Sequence, residues 1–295
     1  MIVRKILVPV SGRLDPDDPE DLDAPALKAA LAVAARHDAH VEVLCVTAEP
    51  ARPGDEWSAW LPGYGADELI RWIEEENEER RRRAKATFDR QIAALEVQPQ
   101  LTDDPARGFS VRFTEEVGDI PGAVGAAGRL SDLVVLAGAG HSWESPFRPL
   151  LQASLRRSAC PVLVTPPQVS PGFATRVALA WNDTVEAARA VAASLELLKA
   201  AEKVLVICSR ESETAGLQAE PLVEYLAWHG IEAEAAELSE SPRDTPAAIV
   251  ERARAADCDL LVLGAFLHSR AHTLLFGSVT EFVVSEPGIP VLLVP

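Results

Sequence analysis

The chain repeats itself, and the repeat limits its fold more than any other feature. DLVVLAGAGHS, from Asp132 to Ser142, parallels DLLVLGAFLHS, from Asp259 to Ser269, and ACPVLVTP parallels GIPVLLVP. Cys45 and Cys208 hold matching places in the second apolar run of each half. Chance similarity between apolar strands gives one such match, but not all of them in order, so the pattern is that of a duplicated unit.

The last 38 residues, Cys258 to Pro295, define the unit. Leu260 to Leu263 is a short apolar run suited to a buried strand, and Gly264 stops it. A loop follows, and Gly277-Ser278 opens a segment in which Val279, Phe282 and Val283 share one helical face. Val291 to Val294 is a closing strand. Strand, glycine loop, helix and strand form the unit of a parallel sheet, whose ligands bind beyond the carboxyl ends of the strands.

The same alternation runs through the whole chain. In the first half, strands are expected at Lys5–Val10, Val41–Val46, Val111–Glu116, Leu133–Leu136 and Pro161–Thr165. Helices are expected from Ala24 to near Asp38, at Ile120–Leu130 and at Leu150–Arg157. Residues 51–64 read as irregular. A long charged helix follows, from about Asp67 to Leu95, with Glu76 and Arg80, Glu78 and Arg82, and Glu79 and Arg83 at i, i+4 spacing. It reads as a solvated surface helix, with a partner-binding arm as the alternative.

Pro166–Gly172 is a linker by composition. Beyond it, strands are expected at Arg176–Trp181, Lys203–Cys208 and Ile231–Leu238, and helices at Thr184–Ala200, Gly216–His229 and Thr245–Ala256. The expected domains are residues 1–168 and 173–295.

The net charge of −17 argues against a nucleic-acid or anionic-membrane surface, because phosphates are bound mainly through Lys and Arg. No apolar stretch approaches a membrane span, and the first residues enter a strand directly. A soluble cytoplasmic protein is expected. The four cysteines lie in or beside apolar runs without a CxxC pair, and read as buried thiols.

These residues resemble the universal stress protein family in its tandem form. The likeness rests on KILVPVSG and VALAWND at the starts of the two halves, on the two DLxVLxAxxHS segments and on the two PVLxxP endings. It implies an α/β fold of two repeated domains, each a five-stranded parallel sheet with helices on both faces (adenine nucleotide alpha hydrolase-like). It also implies that the last strands of the halves pair, bringing Val162–Val164 to Val291–Val294 as a pseudo-dimer within the chain. A homodimer of whole chains is a further expectation, with the protein partner unspecified.

One subclass of the family binds ATP or AMP through Gly, two residues, Gly, nine residues, Gly, then Ser or Thr. The second half matches at Gly264, Gly277 and Ser278, with Leu267 at the second glycine and His268 bordering the loop. Glycines let backbone N–H groups approach phosphate closely. The first half has Ala137, Gly140 and no Gly-Ser pair. Where nucleotide-binding members carry Asp after the first strand, this chain has Ser11 and Asn182, and Asn can still hydrogen-bond a nucleoside. The resemblance thus implies a non-catalytic stress-response protein with ATP or AMP in its second half. The alternative is an interaction or structural protein that has lost nucleotide binding.

Other readings of these residues stay open. Ser278 and Glu281 form a capping box that needs no ligand, and Asn182 suits a turn before the helix. His268 and His272 lack a third metal ligand, so no metal is expected. Trp57, Trp60 and Trp72 suit packing of the insertion against the sheet. Val10 to Asp15 resembles the SGGxDS loop of ATP pyrophosphatases, with Arg13 at its second glycine. No nucleophile, base and orienter set emerges, so catalysis is not expected.

Overall fold

The structure is a computed structural model that describes residues 2–13, 22–47, 49, 66–104, 108–138, 147–170, 172–209, 219–238, 245–265, 267–268, 275–276, 282 and 288–295. The elements of the first half are β1 (Lys5–Val10), α1 (Ala24–His37), β2 (His40–Thr47), α2 (Ala66–Ala93), β3 (Gln100–Leu101), β4 (Ser110–Val117), α3 (Ile120–Gly128), β5 (Leu133–Ala137), α4 (Phe147–Arg157) and β6 (Val162–Thr165). The second half contributes β7 (Arg176–Trp181), α5 (Val185–Ala200), β8 (Lys203–Ser209), α6 (Glu220–Trp228), β9 (Ala233–Leu238), α7 (Thr245–Ala255), β10 (Leu260–Gly264), β11 (Leu267–His268), β12 (Leu275–Phe276) and β13 (Val291–Val294).

The strands make one sheet in the order β3-β4-β2-β1-β5-β6-β13-β10-β7-β8-β9. Within each half the pairings are parallel. The halves meet at an antiparallel seam of β6 and β13, where Val291 faces Val164, Leu292 faces Leu163 and Leu293 faces Val162. Without the seam, both strands would be open edges of buried apolar character.

The repeat has a physical basis at the starts of the strands. Asp132 accepts the backbone N–H groups of Arg4 and Lys5 at 2.8 and 2.9 Å. Asp259 accepts those of Thr175 and Arg176 at 3.1 and 2.9 Å. Each Asp therefore fixes the fourth long strand of its half beside the first.

Local signals set the helix ends. Asp119 caps α3 through the Gly122 N–H at 2.9 Å, and Thr184 caps α5 through the Ala187 N–H at 3.2 Å. Asp38, left-handed at φ 49°, closes α1, where the sequence places its end.

The expectation for α2 needs correction. It is the crossover from β2 toward β4, and it buries Ala84, Phe88 and Ile92, so it is part of the core rather than a solvated addition. Phe88 lies 5.5 Å from Phe113 of β4, ring centre to ring centre. The ion pairs on its outer face also differ. Glu79 pairs with Arg83 at 2.9 Å as expected, but it also takes Arg82 at 2.6 Å, and Glu78 takes Arg81. Arg80 turns inward instead, because its Nε donates to the Ser11 carbonyl at 2.9 Å.

Candidate functional site

In each half the strand order reverses between the first and fourth long strands, so a crevice opens beyond the carboxyl ends of β1 and β5, and of β7 and β10.

In the second half, β7 ends at Trp181 and the chain turns through Asn182 and Asp183, the latter left-handed at φ 56°. The Thr184 hydroxyl donates to the Asn182 side-chain oxygen at 2.8 Å while accepting the Ala187 N–H. Asn182 is exposed, and with its oxygen engaged it offers the crevice its NH₂ group as a donor.

Gly264 closes β10 at the floor of this crevice. A Cβ there would stand 2.5 Å from the Glu186 carbonyl carbon, so the glycine lets the first turn of α5 lie against the strand end. That packing need exists without any ligand. Beyond it, Leu267 pairs with Phe276 and His268 with Leu275 in a two-strand ribbon, where the sequence suggests only a loop. The ribbon draws the two ends of the expected phosphate loop together in the backbone. Gly277 and Ser278 lie outside the described residues, as do Glu281, His272, Trp57, Trp60 and Gly140.

The first half is arranged differently. The Asp23 carboxylate accepts the backbone N–H of Ser11 at 2.9 Å and of Gly12 at 2.8 Å, and the Ser11 hydroxyl accepts that of Arg13 at 3.2 Å. Gly12 is left-handed at φ 60°, and a Cβ there would meet the Arg80 carbonyl oxygen at 1.9 Å. A side-chain carboxylate therefore occupies the Ser11 and Gly12 amides that a pyrophosphate-cradling loop would offer, while Leu14 and Asp15 of that motif lie outside the described residues.

Arg80, only 7% exposed, borders a cavity of about 100 Å³. Val10, Leu44, Val46, Val124, Leu136 and Leu150 supply most of its apolar wall. Arg13 and Arg80 also line an open groove along α2 with Glu49, Trp72, Glu76, Asn77 and Arg83. Trp72 is 62% exposed, so it does not pack the insertion against the sheet.

Sequence reasoning missed Asp23 and Arg80. Asp23 precedes Ala24-Pro25 and carries a readable helix-start signal. Arg80 lies in an unbroken charged run that hides its inward turn.

Cys45 and Cys208 sit at matching registers, opposite Val10 and Trp181. Burial pushes both thiols up to about 11, which favours the protonated form at neutral pH. Cys160 and Cys258 are buried and free as well, as their apolar contexts suggest. Among the described residues no cluster of His, Cys, Asp and Glu could hold a metal ion, and no helix is long and apolar enough to cross a membrane.

Residues 174–295 match the sequence model of the universal stress protein family. A universal stress protein from Archaeoglobus fulgidus DSM 4304 shares the fold at a TM-score of 0.67 and 17% identity, covering 98% of this chain and 95% of that one. A functionally unknown protein from Pseudomonas aeruginosa PAO1 has a TM-score of 0.55 and 20% identity, covering 99% and 92%. A universal stress protein in complex with cAMP overlays 57% of this chain and all of its own length, at 17% identity and a TM-score of 0.31. No protein of curated function matches the chain. Residues 174–295 are thus similar in sequence to the universal stress protein family, and the first half continues the same α/β sheet.

Proposed function

We propose that this chain is a non-catalytic stress-response protein of the cytoplasm, and that the crevice of its second half takes ATP or AMP. The ribbon of β11 and β12 carries the reading, because it closes the nine-residue spacer between Leu267 and Gly277 and brings the segment leading to Gly277 and Ser278 back toward Gly264. The amides at Gly277 and Ser278 would hold phosphates, the Asn182 NH₂ would meet the nucleoside, and His268 would border the loop.

The test is purification without added nucleotide, denaturation, chromatography of released adenine nucleotides, and calorimetric titration of the emptied protein with ATP and AMP. Gly277→Val is expected to abolish binding with little loss of fold, and Asn182→Ala to weaken binding about tenfold. Unchanged affinity in Gly277→Val defeats the assignment.

The second reading is an interaction protein without nucleotide. It is favoured by Gly264, whose packing against Glu186 explains that glycine on its own. Absence of binding at millimolar ATP and AMP puts this reading first. The pairing of whole chains as homodimers belongs to either reading, and sedimentation measures it.

A further inference from the structure

We propose that the outer edge of β9, the last strand of the sheet, is a strand-addition site for an extended segment of a partner protein that carries Lys or Arg at alternate positions. The edge lies apart from both crevices, so the inference stands whether or not the second half takes a nucleotide.

The ladder fixes which backbone groups of β9 face outward. A strand residue turns its N–H and C=O to one side, and successive residues alternate. The Lys203 N–H donates to the Thr175 carbonyl and Lys203 pairs with Arg176, so Lys203 faces β7 and Val204 faces β9. Val204 lies opposite Ala233, so Glu234 and Ala236 turn toward β8 while Ala233 and Ala235 turn outward. No described residue pairs with that outer side. Segments 210–218 and 239–244 leave from the carboxyl ends of β8 and β9, the opposite end of the sheet from Ile231 and Ala233.

The first half shows how such an edge is filled. Its counterpart of β9 is β4, because Val41 of β2 lies opposite Val111 as Val204 of β8 lies opposite Ala233. There β3 runs parallel along the outer side, with the Gln100 N–H donating to the Phe109 carbonyl at 3.0 Å and the Thr102 N–H to the Val111 carbonyl at 3.2 Å. The equivalent carbonyls, of Ile231 and Ala233, have no backbone donor among the described residues. One end of the duplicated sheet is thus covered by the chain itself, and the other is a template for one more strand.

Charge names the occupant. Glu232, Glu234 and Glu237 are exposed along the edge, with Glu234 3.0 Å from Lys203. A second copy laid edge to edge would set these acids beside one another, which opposes self-pairing, whereas a basic segment gains favourable cross-strand pairs. On the other face, Ala233 and Val223 of α6 are half-buried against the core, so apolar residues between the basic ones would extend it. In a parallel arrangement like that of β3, residues sharing the face of Glu234 turn their amides the same way as Glu234. The amides of the basic residues would therefore be the ones that meet β9.

The test is fluorescence anisotropy of a dye-labelled peptide of three Lys-Val repeats, titrated with the full chain. It is expected to bind at least about tenfold more tightly than a peptide of three Glu-Val repeats, and than the same peptide N-methylated at its Lys amides. Methylation at the Val amides, which face away, should change affinity less than about twofold. Ala235→Pro removes an outward N–H without removing a bond to β8, and is expected to weaken binding about tenfold. Because proline can disturb the strand, Glu232→Lys/Glu234→Lys serves as a second variant, expected to reverse the preference between the Lys and Glu peptides. Equal binding of the peptide methylated at its Lys amides would reduce the attraction to net charge and overturn the proposal. Undiminished affinity in folded Ala235→Pro protein, an unreversed preference in the charge variant, no binding by the wild type, or self-association that Ala235→Pro abolishes would each overturn it as well.

Discussion

Gly264 serves two demands that sequence cannot separate. A phosphate loop needs a glycine there for close backbone approach, and the first turn of α5 needs one for packing, with 2.5 Å between the missing Cβ and the Glu186 carbonyl carbon. Gly264→Ala in nucleotide-free protein distinguishes them. Overpacking against backbone is expected to cost about 1–3 kcal/mol, read as a lower urea midpoint. A glycine needed only for phosphate would leave the midpoint of the empty protein unchanged. Asn182 was legible as a turn residue before a helix, yet its engagement by Thr184 depends on the left-handed turn at Asp183, which the sequence does not announce. Arg80 was illegible for a different reason. Periodicity places it on a charged helix but says nothing of a carbonyl waiting 69 residues away.

Between residues and the whole fold, Glu42 joins three strands. It is 6% exposed on β2, lies 2.7 Å from Lys5 of β1 and also pairs with Arg112 of β4. Burial opposes its ionisation, but the hydrogen bonds and charges of Lys5 and Arg112 outweigh burial and hold its carboxyl below the usual range. A depressed folded-state value stabilises the protein above the unfolded-state value of about 4.3, and that stability is lost as pH falls through the folded value. Glu42→Gln is therefore expected to lose about 1–3 kcal/mol at pH 7. The gap from wild type should narrow progressively below about pH 4.3, measured as urea midpoints across pH. A gap independent of pH would mean that packing, not charge, is what the variant loses. Strand positions were readable because buried parallel strands are continuous apolar runs. The role of α2 was not, since its few buried apolar residues, Ala84, Phe88 and Ile92, are diluted by the charged outer face.

On the scale of the molecule, the duplication becomes one structure because β6 and β13 join two parallel sets of strands into a single sheet. The family resemblance implied this seam, and strand pairing alone could not have selected it among several apolar edges. Its register is open to a direct covalent test. Val164 and Val291 stand opposite each other, and directly paired antiparallel residues lie at Cα separations of about 4.5–5.5 Å, within the range a disulfide spans. Val164 and Val291 are themselves buried, so the double variant Val164→Cys/Val291→Cys is oxidised during refolding, where the facing positions should join while the four native thiols stay free. Thiol titration of the unfolded, oxidised protein should then show two fewer free thiols than the same protein after reduction. The bond would also constrain a long loop in the unfolded chain, adding up to about 4 kcal/mol to stability. A seam shifted by one residue would turn the two side chains to opposite faces, and the disulfide would not form. Formation would therefore fix both the pairing and its register, and with them the direction in which the two crevices open from one continuous sheet.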